Sequence, residues 1–443
     1  MNNPGELVFR EDKGGLQEEA VREVVLGAFQ QWNLAGRRVL VVIPDGTRTA
    51  PIPLFFRLIF EALNGKVKKL DYLVALGTHP AMSEAALNRL VGVDETERKG
   101  KYGRIGILSH GWDRPENLIQ IGTISKDEAS QLSRGMLPVE IPVRVNRLAL
   151  EYDALVLCGP VFPHEVAGFS GGSKYILPGI SGAETINFTH WLGALITSYE
   201  VIGVKNTPVR AVIERVREMV PTPKYGISFV VTHAAVPGVN AVDTHGVYAG
   251  RIPEAWSAAA DLSAQIHVRY VERPFRKVIS VIPRRYDDLW TGGKGMYKVE
   301  PAVAAGGEVI LYAPHIQEVS YTHGKVIDEI GYHVRDYFVK QWERFNRYPW
   351  GVLAHSTHVR GIGVYEDEIE RPRVKVTLAT GIPAERCARI NLDYLDPASI
   401  RLEEWKRREA EGILVVPDAG EILYRLRAGD FPPLPSGEGR GEG

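Results

Sequence analysis

Short hydrophobic runs alternate with amphipathic segments through the first half of the chain. The runs are rich in Val, Ile and Leu, and each has about the length of a buried parallel strand. They cover residues 38–43, 72–76, 105–108, 154–157 and 227–231. Apolar residues three and four positions apart predict helices over 54–63, 84–90 and 209–219. This alternation indicates an α/β domain with a mainly parallel sheet.

A second series of apolar runs begins after Pro274 and predicts a second α/β domain. Its strands are expected over 278–282, 309–312, 351–353, 375–378 and 414–416. We therefore predict an N-terminal domain over 1–268, a C-terminal domain over 269–430, and an active-site cleft between them. Residues 431–443 have the Pro, Gly and Ser content of a flexible tail.

Charge and cysteine content exclude several classes of function. Basic and acidic residues nearly cancel, at 53 and 54, which argues against a nucleic-acid or membrane-surface binder. No run approaches the roughly 20 apolar residues of a membrane-spanning helix. Two distant cysteines, Cys158 and Cys387, suggest neither a disulfide framework nor a thiolate zinc site. We expect a cytoplasmic protein with no nucleic-acid or membrane partner.

Polar loops follow the predicted strands of the N-terminal domain. They contain Asp45-Gly-Thr-Arg48, Gly77-Thr-His79, His110 and His164. Because ligands bind beside the carboxyl ends of strands in open α/β sheets, these loops are candidates for one site. Each has a simpler interpretation: the first as a helix N-cap with a surface cation, and His110 as a structural residue that bonds to the backbone.

The segment from His164 to His190 is the richest in candidate chemistry. Its glycines around Ser170, Gly171 and Gly172 are able to bring backbone N–H groups to an anion. It is not a P-loop, because Tyr175 follows Lys174 where Ser or Thr is needed. A glycine-rich connection without a ligand is the alternative.

Lysine and histidine in this setting have more than one possible use. Lys174 suits either a point charge or a nucleophile. His79, His164 and His190 suit proton transfer or binding of a borderline metal such as nickel. Spacing alone does not divide these roles among them.

Three of these motifs together resemble the nickel-pincer lactate racemase family. They are the Asp45–Arg48 motif, the Gly77–His79 motif, and the segment from His164 to Lys174 that is followed sixteen positions later by His190. The resemblance covers most of residues 1–250 in order and the C-terminal half more loosely. The long segment is specific, whereas either short motif alone would be weak.

The resemblance implies a racemase or epimerase that inverts the C2 centre of a 2-hydroxy acid by reversible hydride transfer. It implies a cofactor, pyridinium-3,5-dithiocarboxylic acid mononucleotide nickel, attached covalently to Lys174 and supplied by cofactor-biosynthesis proteins. His190 would bind nickel, His79 and His164 would be acid and base for opposite enantiomers, and Arg48 would bind the substrate carboxylate. The other implied cofactor-binding residues are Asp45, Thr47, Ser170, Gly171 and Gly172.

Departures from the family bear on the substrate. Where lactate racemases have a Tyr-Gln pair before a lysine, this chain has the segment from Trp290 through Thr291 to Lys294. We assign Lys294 and Thr291 to the substrate pocket, with Lys298 as a competitor, and expect Thr and Gly to enlarge it. A polar loop predicted over 354–361 adds hydrogen-bonding groups. Both features predict a larger or more polar acid than lactate, such as a sugar acid.

Two other functions fit the same motifs. One is a phosphate-handling transferase that uses the glycine-rich segment as an anion loop. The other is a non-catalytic ligand-binding protein on the same fold.

Overall fold

The computed structural model describes residues 5–233 and 242–427. The tail predicted over 431–443 lies outside the described residues. The strands are β1 (Val8–Glu11), β2 (Arg38–Pro44), β3 (Lys69–Ala75), β4 (Gly106–Ser109), β5 (Leu118–Ile124), β6 (Ile141–Asn146), β7 (Ala154–Pro160), β8 (Pro163–His164), β9 (Gly168–Phe169), β10 (Lys224–His233), β11 (Val242–Gly250), β12 (Val268–Val271), β13 (Phe275–Val281), β14 (Val303–Ala313), β15 (Gly363–Glu366), β16 (Ile369–Pro372), β17 (Lys375–Thr380), β18 (Asp393–Tyr394), β19 (Ile413–Val416) and β20 (Leu423–Leu426).

Helices connect most of these strands. They are α1 (Glu18–Trp32), α2 (Ile52–Leu63), α3 (Glu84–Val91), α4 (Glu95–Lys99), α5 (Lys126–Leu132), α6 (Leu148–Glu151), α7 (Ala183–Ile196), α8 (Ser198–Val201), α9 (Pro208–Met219), α10 (Ile252–His267), α11 (Leu289–Gly292), α12 (Lys294–Tyr297), α13 (Gly324–Ile330), α14 (Arg335–Lys340), α15 (Trp342–Phe345), α16 (Trp350–Arg360), α17 (Ala384–Arg389) and α18 (Leu402–Trp405). Across the described residues, no helix is both long and apolar enough to cross a membrane.

Two compact units make up the chain. The first contains the residues through Phe162, with Phe169–Thr189 and Lys205–Ile266. The second contains Pro163–Gly168, His190–Val204 and the chain from His267 onward. The expected division at 268/269 was continuous, whereas the structure assigns two short segments of the predicted N-terminal domain to the second unit. These segments carry His164 and His190.

The first unit is built on a seven-stranded sheet in the order β1-β11-β10-β7-β2-β3-β4. The strands from β10 to β4 pair in parallel, and β1 and β11 add an antiparallel edge. All five strands predicted for this region are present. Val39 to Ile43 are buried on both faces of β2, as the continuous apolar run predicts. The α/β class with a mainly parallel sheet is confirmed.

A five-stranded sheet organises the second unit, in the order β18-β17-β14-β13-β19 with every pair parallel. Four of the five predicted strands are confirmed. The strand predicted over 351–353 is wrong, because those residues lie in the first turns of α16. A three-residue apolar run does not distinguish a strand from a buried helix.

The polar loop predicted over 354–361 is also wrong. Most of it continues α16, and His355 to His358 are buried. The hydroxyls are satisfied within the unit: Ser356 Oγ donates to the carbonyl of Gly331 at 2.8 Å, and Thr357 Oγ1 donates to that of Ala354 at 2.9 Å. Polar residues are therefore accommodated on a core helix because their hydrogen bonds are made within the same unit.

Glu300, which begins a short 3₁₀ turn before β14, is fully buried. Its Oε1 accepts a hydrogen bond from the Ile362 N–H at 2.7 Å, and its Oε2 has no partner among the described residues. Burial raises the pKa of Glu300 from 4.5 to about 7. Ionisation of this carboxyl therefore opposes folding.

We predict that Glu300 makes the protein less stable as pH rises from about 4.5 to about 7. The unfolded state releases the proton first, so the stabilising effect of the protonated carboxyl is complete below pH 4.5 and is lost through pH 7, a change of roughly 3 kcal/mol. Glu300→Gln should flatten this part of the pH dependence in denaturant unfolding, while exposed Glu403→Gln should not. Identical slopes in wild type and Glu300→Gln would contradict the assignment.

Candidate functional site

Asp45 and His79 meet at the carboxyl end of the first unit's sheet. β2 and β3 pair in parallel with Pro44 opposite Ala75, so the loops that follow them are neighbours. Asp45 Oδ2 lies 2.6 Å from His79 Nδ1. Asp45 Oδ1 accepts from both the backbone N–H and the hydroxyl of Thr47, at 3.2 and 2.7 Å. The carboxylate thus holds its own turn and the imidazole of His79.

This contact determines which nitrogen of His79 carries hydrogen. A carboxylate only accepts, so Nδ1 is the donor in the contact. In the neutral ring, Nε2 then keeps its lone pair and can accept a proton. A half-exposed imidazole oriented by a carboxylate is suited to general-base chemistry.

Arg48 and Thr49 follow Asp45 in the loop at the carboxyl end of β2. Thr49 is buried, and its hydroxyl contacts Nε2 of His233 at the end of β10. Burial raises the pKa of the Tyr175 phenol, and the positive charge of Arg48 opposes that rise. Arg48 and Tyr175 are therefore close. His233 is a further residue of this region that was not predicted from the sequence, although it follows a predicted strand just as His79 does.

The Lys174 loop lies against the same end of the sheet. Lys174 occupies a short 3₁₀ turn, Gly172–Tyr175, and is half-buried. Its carbonyl accepts from the N–H of Gly179 at 3.0 Å, and the Gly179 carbonyl accepts from the N–H of Gly77 at 3.0 Å. Asp45, His79 and the Lys174 loop are consequently brought together within the first unit.

The glycines before Lys174 have a packing function. Gly171 and Gly172 have φ values of +76° and +59°, and a Cβ at either would lie 2.8 Å from Val161 or Trp256. Ser170 Oγ accepts from the N–H of Phe162 at 2.9 Å, within the same packed turn. Close packing accounts for these residues, and their cofactor-binding roles stay predictions.

His110 is a structural residue that bonds to the backbone, which is its simpler interpretation from the sequence. Its Nε2 donates to the carbonyl of Ser181 at 3.1 Å, and its Nδ1 accepts from the side-chain amide of Asn146 at 3.1 Å. Burial lowers the pKa of His110 to about 4, so the ring is neutral near pH 7. It supports the backbone after the Lys174 loop.

His164, in the second unit, is 4% exposed. Its Nδ1 accepts hydrogen bonds from the backbone N–H groups of Val166 and Ala167, at 3.1 and 3.3 Å. Glu165 Oε2 lies 3.4 Å from the same nitrogen. His164 is thus held by the turn that immediately follows it.

His190 is half-buried on α7 and lies near two other histidines of the second unit. Burial lowers the pKa of His358 to about 4, and the charge of His190 lowers it further. Burial likewise holds the pKa of His355 well below its ordinary value, with contributions from His358, His323 and His190. Among the residues the structure describes, no three His, Cys, Asp or Glu side chains form a cluster able to hold a metal ion.

The structure distinguishes the two candidate lysines. Lys298 Nζ donates to the carbonyls of Pro163 and Glu421, at 2.5 and 3.2 Å. Lys294 Nζ lies over the ring of Tyr286, 4.3 Å from its centre. Two backbone carbonyls therefore hold the Lys298 ammonium within the second unit.

Thr291 lies in a capped turn. Its hydroxyl donates to Asp288 Oδ1 at 2.8 Å, and its N–H donates to the same oxygen at 2.9 Å. Its hydroxyl is therefore bonded to Asp288, the residue that caps the N-terminus of α11.

The ring of Trp290 contacts two imidazoles, those of His323 and His355. Its ring centre is 4.0 Å from that of His355 and 4.6 Å from that of His323. Because His355 lies on α16 and not in the predicted loop, its packing against Trp290 does not follow from the sequence pattern. Burial holds the pKa of His355 well below its ordinary value, so this stacked ring is neutral near pH 7.

Neighbouring side chains occupy the space beside Gly292 and Gly293. A Cβ at Gly292 would lie 2.9 Å from Ile316 Cδ1, and one at Gly293 would lie 2.7 Å from Val359 Cγ2. These glycines allow close packing of neighbouring side chains. The expectation that they enlarge a pocket is not supported.

Known proteins resemble this chain over most of its length. Residues 17–203 match the family model described as the lactate racemase N-terminal domain. Lactate racemase from Thermoanaerobacterium thermosaccharolyticum is 25% identical over 284 residues, which are 62% of this chain and 60% of that protein. Lactate racemase from Lactiplantibacillus plantarum is 29% identical over 155 residues, 34% of this chain and 32% of that protein. The chain thus matches less than two thirds of either curated relative.

Solved structures extend the likeness to the second unit. A crystal structure of a Thermotoga maritima protein has a TM-score of 0.86 and 33% identity, and the match covers 94% of this chain and all of that one. The lactate racemase apoprotein of Thermoanaerobacterium thermosaccharolyticum has a TM-score of 0.67 and 21% identity, with 96% and 95% covered. The second match concerns the fold alone. Residues 17–203 therefore carry a domain of the lactate racemase N-terminal family, and the curated relatives and the fold extend the similarity to lactate racemases.

Proposed function

We propose that this protein is a racemase or epimerase that inverts the C2 centre of a 2-hydroxy acid. The observation that carries the proposal is the Asp45–His79 pair, which lies with Arg48 and the Lys174 loop at one end of the first unit's sheet. An oriented base is suited to take the hydroxyl proton of a 2-hydroxy acid, and a nearby cation is suited to its carboxylate. The amine of Lys174 is available in the same region for a cofactor.

The weak acidity of the C2 hydrogen explains why a cofactor is needed. Removing it as a proton would leave a poorly stabilised dianion beside the carboxylate. Removing it as hydride, while the hydroxyl proton goes to a base, gives a neutral carbonyl instead. His79 and His164 are the residues we propose for the hydroxyl proton, and the rate contribution of such a group is about 10² to 10⁴.

The residues present fit a nickel-pincer nucleotide in their donor chemistry. Lys174 offers a primary amine for covalent attachment, and His190 offers an imidazole, a nitrogen ligand that suits nickel. Both are half-buried rather than enclosed. When bound, the group would accept and return hydride at C2. Asp45, Thr47, Ser170, Gly171 and Gly172 are the further residues that we propose beside it.

Arg48 and Lys294 are proposed to bind the substrate carboxylate, with Thr291 nearby. We propose a larger or more polar acid than lactate, such as a sugar acid. Support comes from the polar groups around Trp290, namely His323 and His355, and not from free volume at the glycines. We also propose a cytoplasmic location, since Cys158 and Cys387 are both free thiols and buried.

Protein produced together with the cofactor-biosynthesis proteins tests the cofactor assignment. Intact-mass analysis should show an adduct on Lys174 with stoichiometric nickel, absent from Lys174→Arg and present in the control Lys205→Arg. If the protein lacks nickel and the adduct but transfers phosphate, the result would favour the transferase. Protein that binds hydroxy acids without turnover would favour a binding protein.

Chiral analysis in heavy water tests the reaction. Matured protein is expected to interconvert the enantiomers or epimers of its acid without placing solvent deuterium on C2, because hydride does not exchange with water. A screen of chiral 2-hydroxy acids of graded size and polarity should favour acids larger than lactate. Deuterium at C2 would show proton abstraction and would refute hydride transfer.

Asp45→Asn should lower kcat by about 10² or more, because His79 loses the carboxylate that fixes its tautomer and stabilises its charged form. The amide oxygen still accepts from Thr47, so the turn should survive. Asp153→Asn is a matched control, since Asp153 pairs with Arg38 at the opposite end of β2. Equal rates for the two variants would remove Asp45 from the proposed site.

Gly293→Ala should destabilise the protein by about 1–3 kcal/mol, because the new methyl group would collide with Val359. Gly324→Ala is the control, since a Cβ there meets the movable ends of the Glu318 and Arg386 side chains. Denaturant unfolding of both variants gives the comparison. Unchanged stability in Gly293→Ala would mean that room exists beside Lys294 after all.

A further inference from the structure

We propose that the second unit binds a small organic acid, as its carboxylate anion, in a cavity of its own. The cavity has a volume of about 280 Å³, which suits a molecule of a few carbon atoms. Residues of α7, α8, α14, α16 and β15 line it, and all of them belong to the second unit. None is a residue proposed for the racemase reaction, so this is a separate site.

Arg373 is the residue of this cavity that favours an anion. It is 8% exposed and lies between β16 and β17. Its Nη1 and Nη2 donate to the carbonyls of Glu300 and Val303, at 3.4 and 2.5 Å. A guanidinium has five N–H donors, so these two contacts leave most of its donors without an acceptor among the described residues. Buried cations are normally paired with an anion.

No described carboxylate forms an ion pair with Arg373. The Glu300 carboxyl is nearby, but burial raises its pKa to about 7, so it is largely uncharged below neutral pH. Two other acids, Glu200 and Asp336, line the cavity. Asp336 Oδ1 accepts from Nε and Nη2 of Arg335, at 3.0 and 2.9 Å. Glu200 is exposed to water, which screens its charge. The charge of Arg373 therefore remains without a partner.

His358 offers a second polar group. It lines the same cavity, and its buried Nε2 has no hydrogen-bond partner in the part of the chain that the structure describes. Burial lowers the pKa of His358 to about 4, so the ring is neutral near pH 7 and has one N–H to donate. A bound carboxylate would supply an acceptor for this imidazole and a counter-charge for Arg373.

The rest of the lining favours an organic acid over inorganic phosphate. Ala194, Ile362 and Val364 contribute apolar surface, and the centre of the Tyr199 ring lies 5.5 Å from the Arg373 guanidinium. One guanidinium matches the single charge of a carboxylate and can bind both of its oxygens in parallel. Phosphate carries more charge near pH 7 and has no apolar part. The cavity therefore suits a small aliphatic carboxylate.

Butyrate and its neutral analogue butyramide test the assignment with the full chain without cofactor. In protein labelled with ¹⁵N in its 12 histidines, butyrate should shift the ring resonances of His358, which are identified by their loss in His358→Gln. Butyramide has nearly the same shape and no charge, and it should bind about tenfold more weakly or worse. Equal binding of the two compounds would overturn the proposal, as would tighter binding of inorganic phosphate than of butyrate.

Substitution of Arg373 tests its part in binding, with the affinity measured at His358. Arg373→Gln should weaken butyrate binding by about 10- to 100-fold, because the charge-assisted hydrogen bonds are lost. Arg373→Lys keeps the charge without the planar fork, so its loss should be smaller. Arg48→Gln and the exposed Arg344→Gln remove the same charge elsewhere and should leave this affinity within about twofold. A loss in Arg48→Gln but not in Arg373→Gln would contradict the proposal.

Thermal unfolding gives an independent measurement. Butyrate should raise the Tm of wild type and Arg344→Gln more than butyramide does, because a ligand that binds only the folded state stabilises it. If Arg373→Gln does not fold, the wild-type comparison and Arg373→Lys still decide, and an unchanged Tm with unshifted His358 resonances would refute the site. These measurements need neither cofactor nor turnover, so their outcome is separate from that of the proposed racemase function.

Discussion

Parallel pairing of β2 with β3 is the constraint on which the candidate site depends. Residues 34 positions apart, Asp45 and His79, meet because two neighbouring strands end at the same level of the sheet. The sheet's buried interior keeps that register fixed, since a slip would move apolar side chains out of the core. A single carboxylate then holds both the Thr47 turn and the His79 ring.

The sequence predicted the strands best where burial is complete. Val39 to Ile43 form an unbroken apolar run because helices cover both faces of a central parallel strand. The strand predicted over 351–353 is wrong because α16 continues through polar residues such as Ser356. The hydroxyl of Ser356 bonds to a carbonyl that is distant in sequence. Periodicity records which side chains are apolar, and it does not record such partners.

The positions of the candidate residues at strand ends were predictable from the sequence, but their hydrogen-bonding states were not. The strand-end rule indicated His79, and the Asp45 contact follows from register. The state of His164 depends on the local turn at Val166 and Ala167, which no spacing reveals. The glycines illustrate the opposite error. Gly293 was expected to enlarge the pocket, whereas Val359 occupies the space beside it. A missing side chain also permits closer packing of its neighbours.

The buried ammonium of Lys298 links three distant parts of the chain. It bonds to the carbonyl of Pro163, the residue before His164, and to that of Glu421. A buried cation without these acceptors would be costly, so the three segments settle together. During synthesis, the strand that carries His164 therefore waits for more than 250 later residues before its anchor is complete. Until that point, the carbonyl of Pro163 lacks the complete anchor that it has in the finished structure.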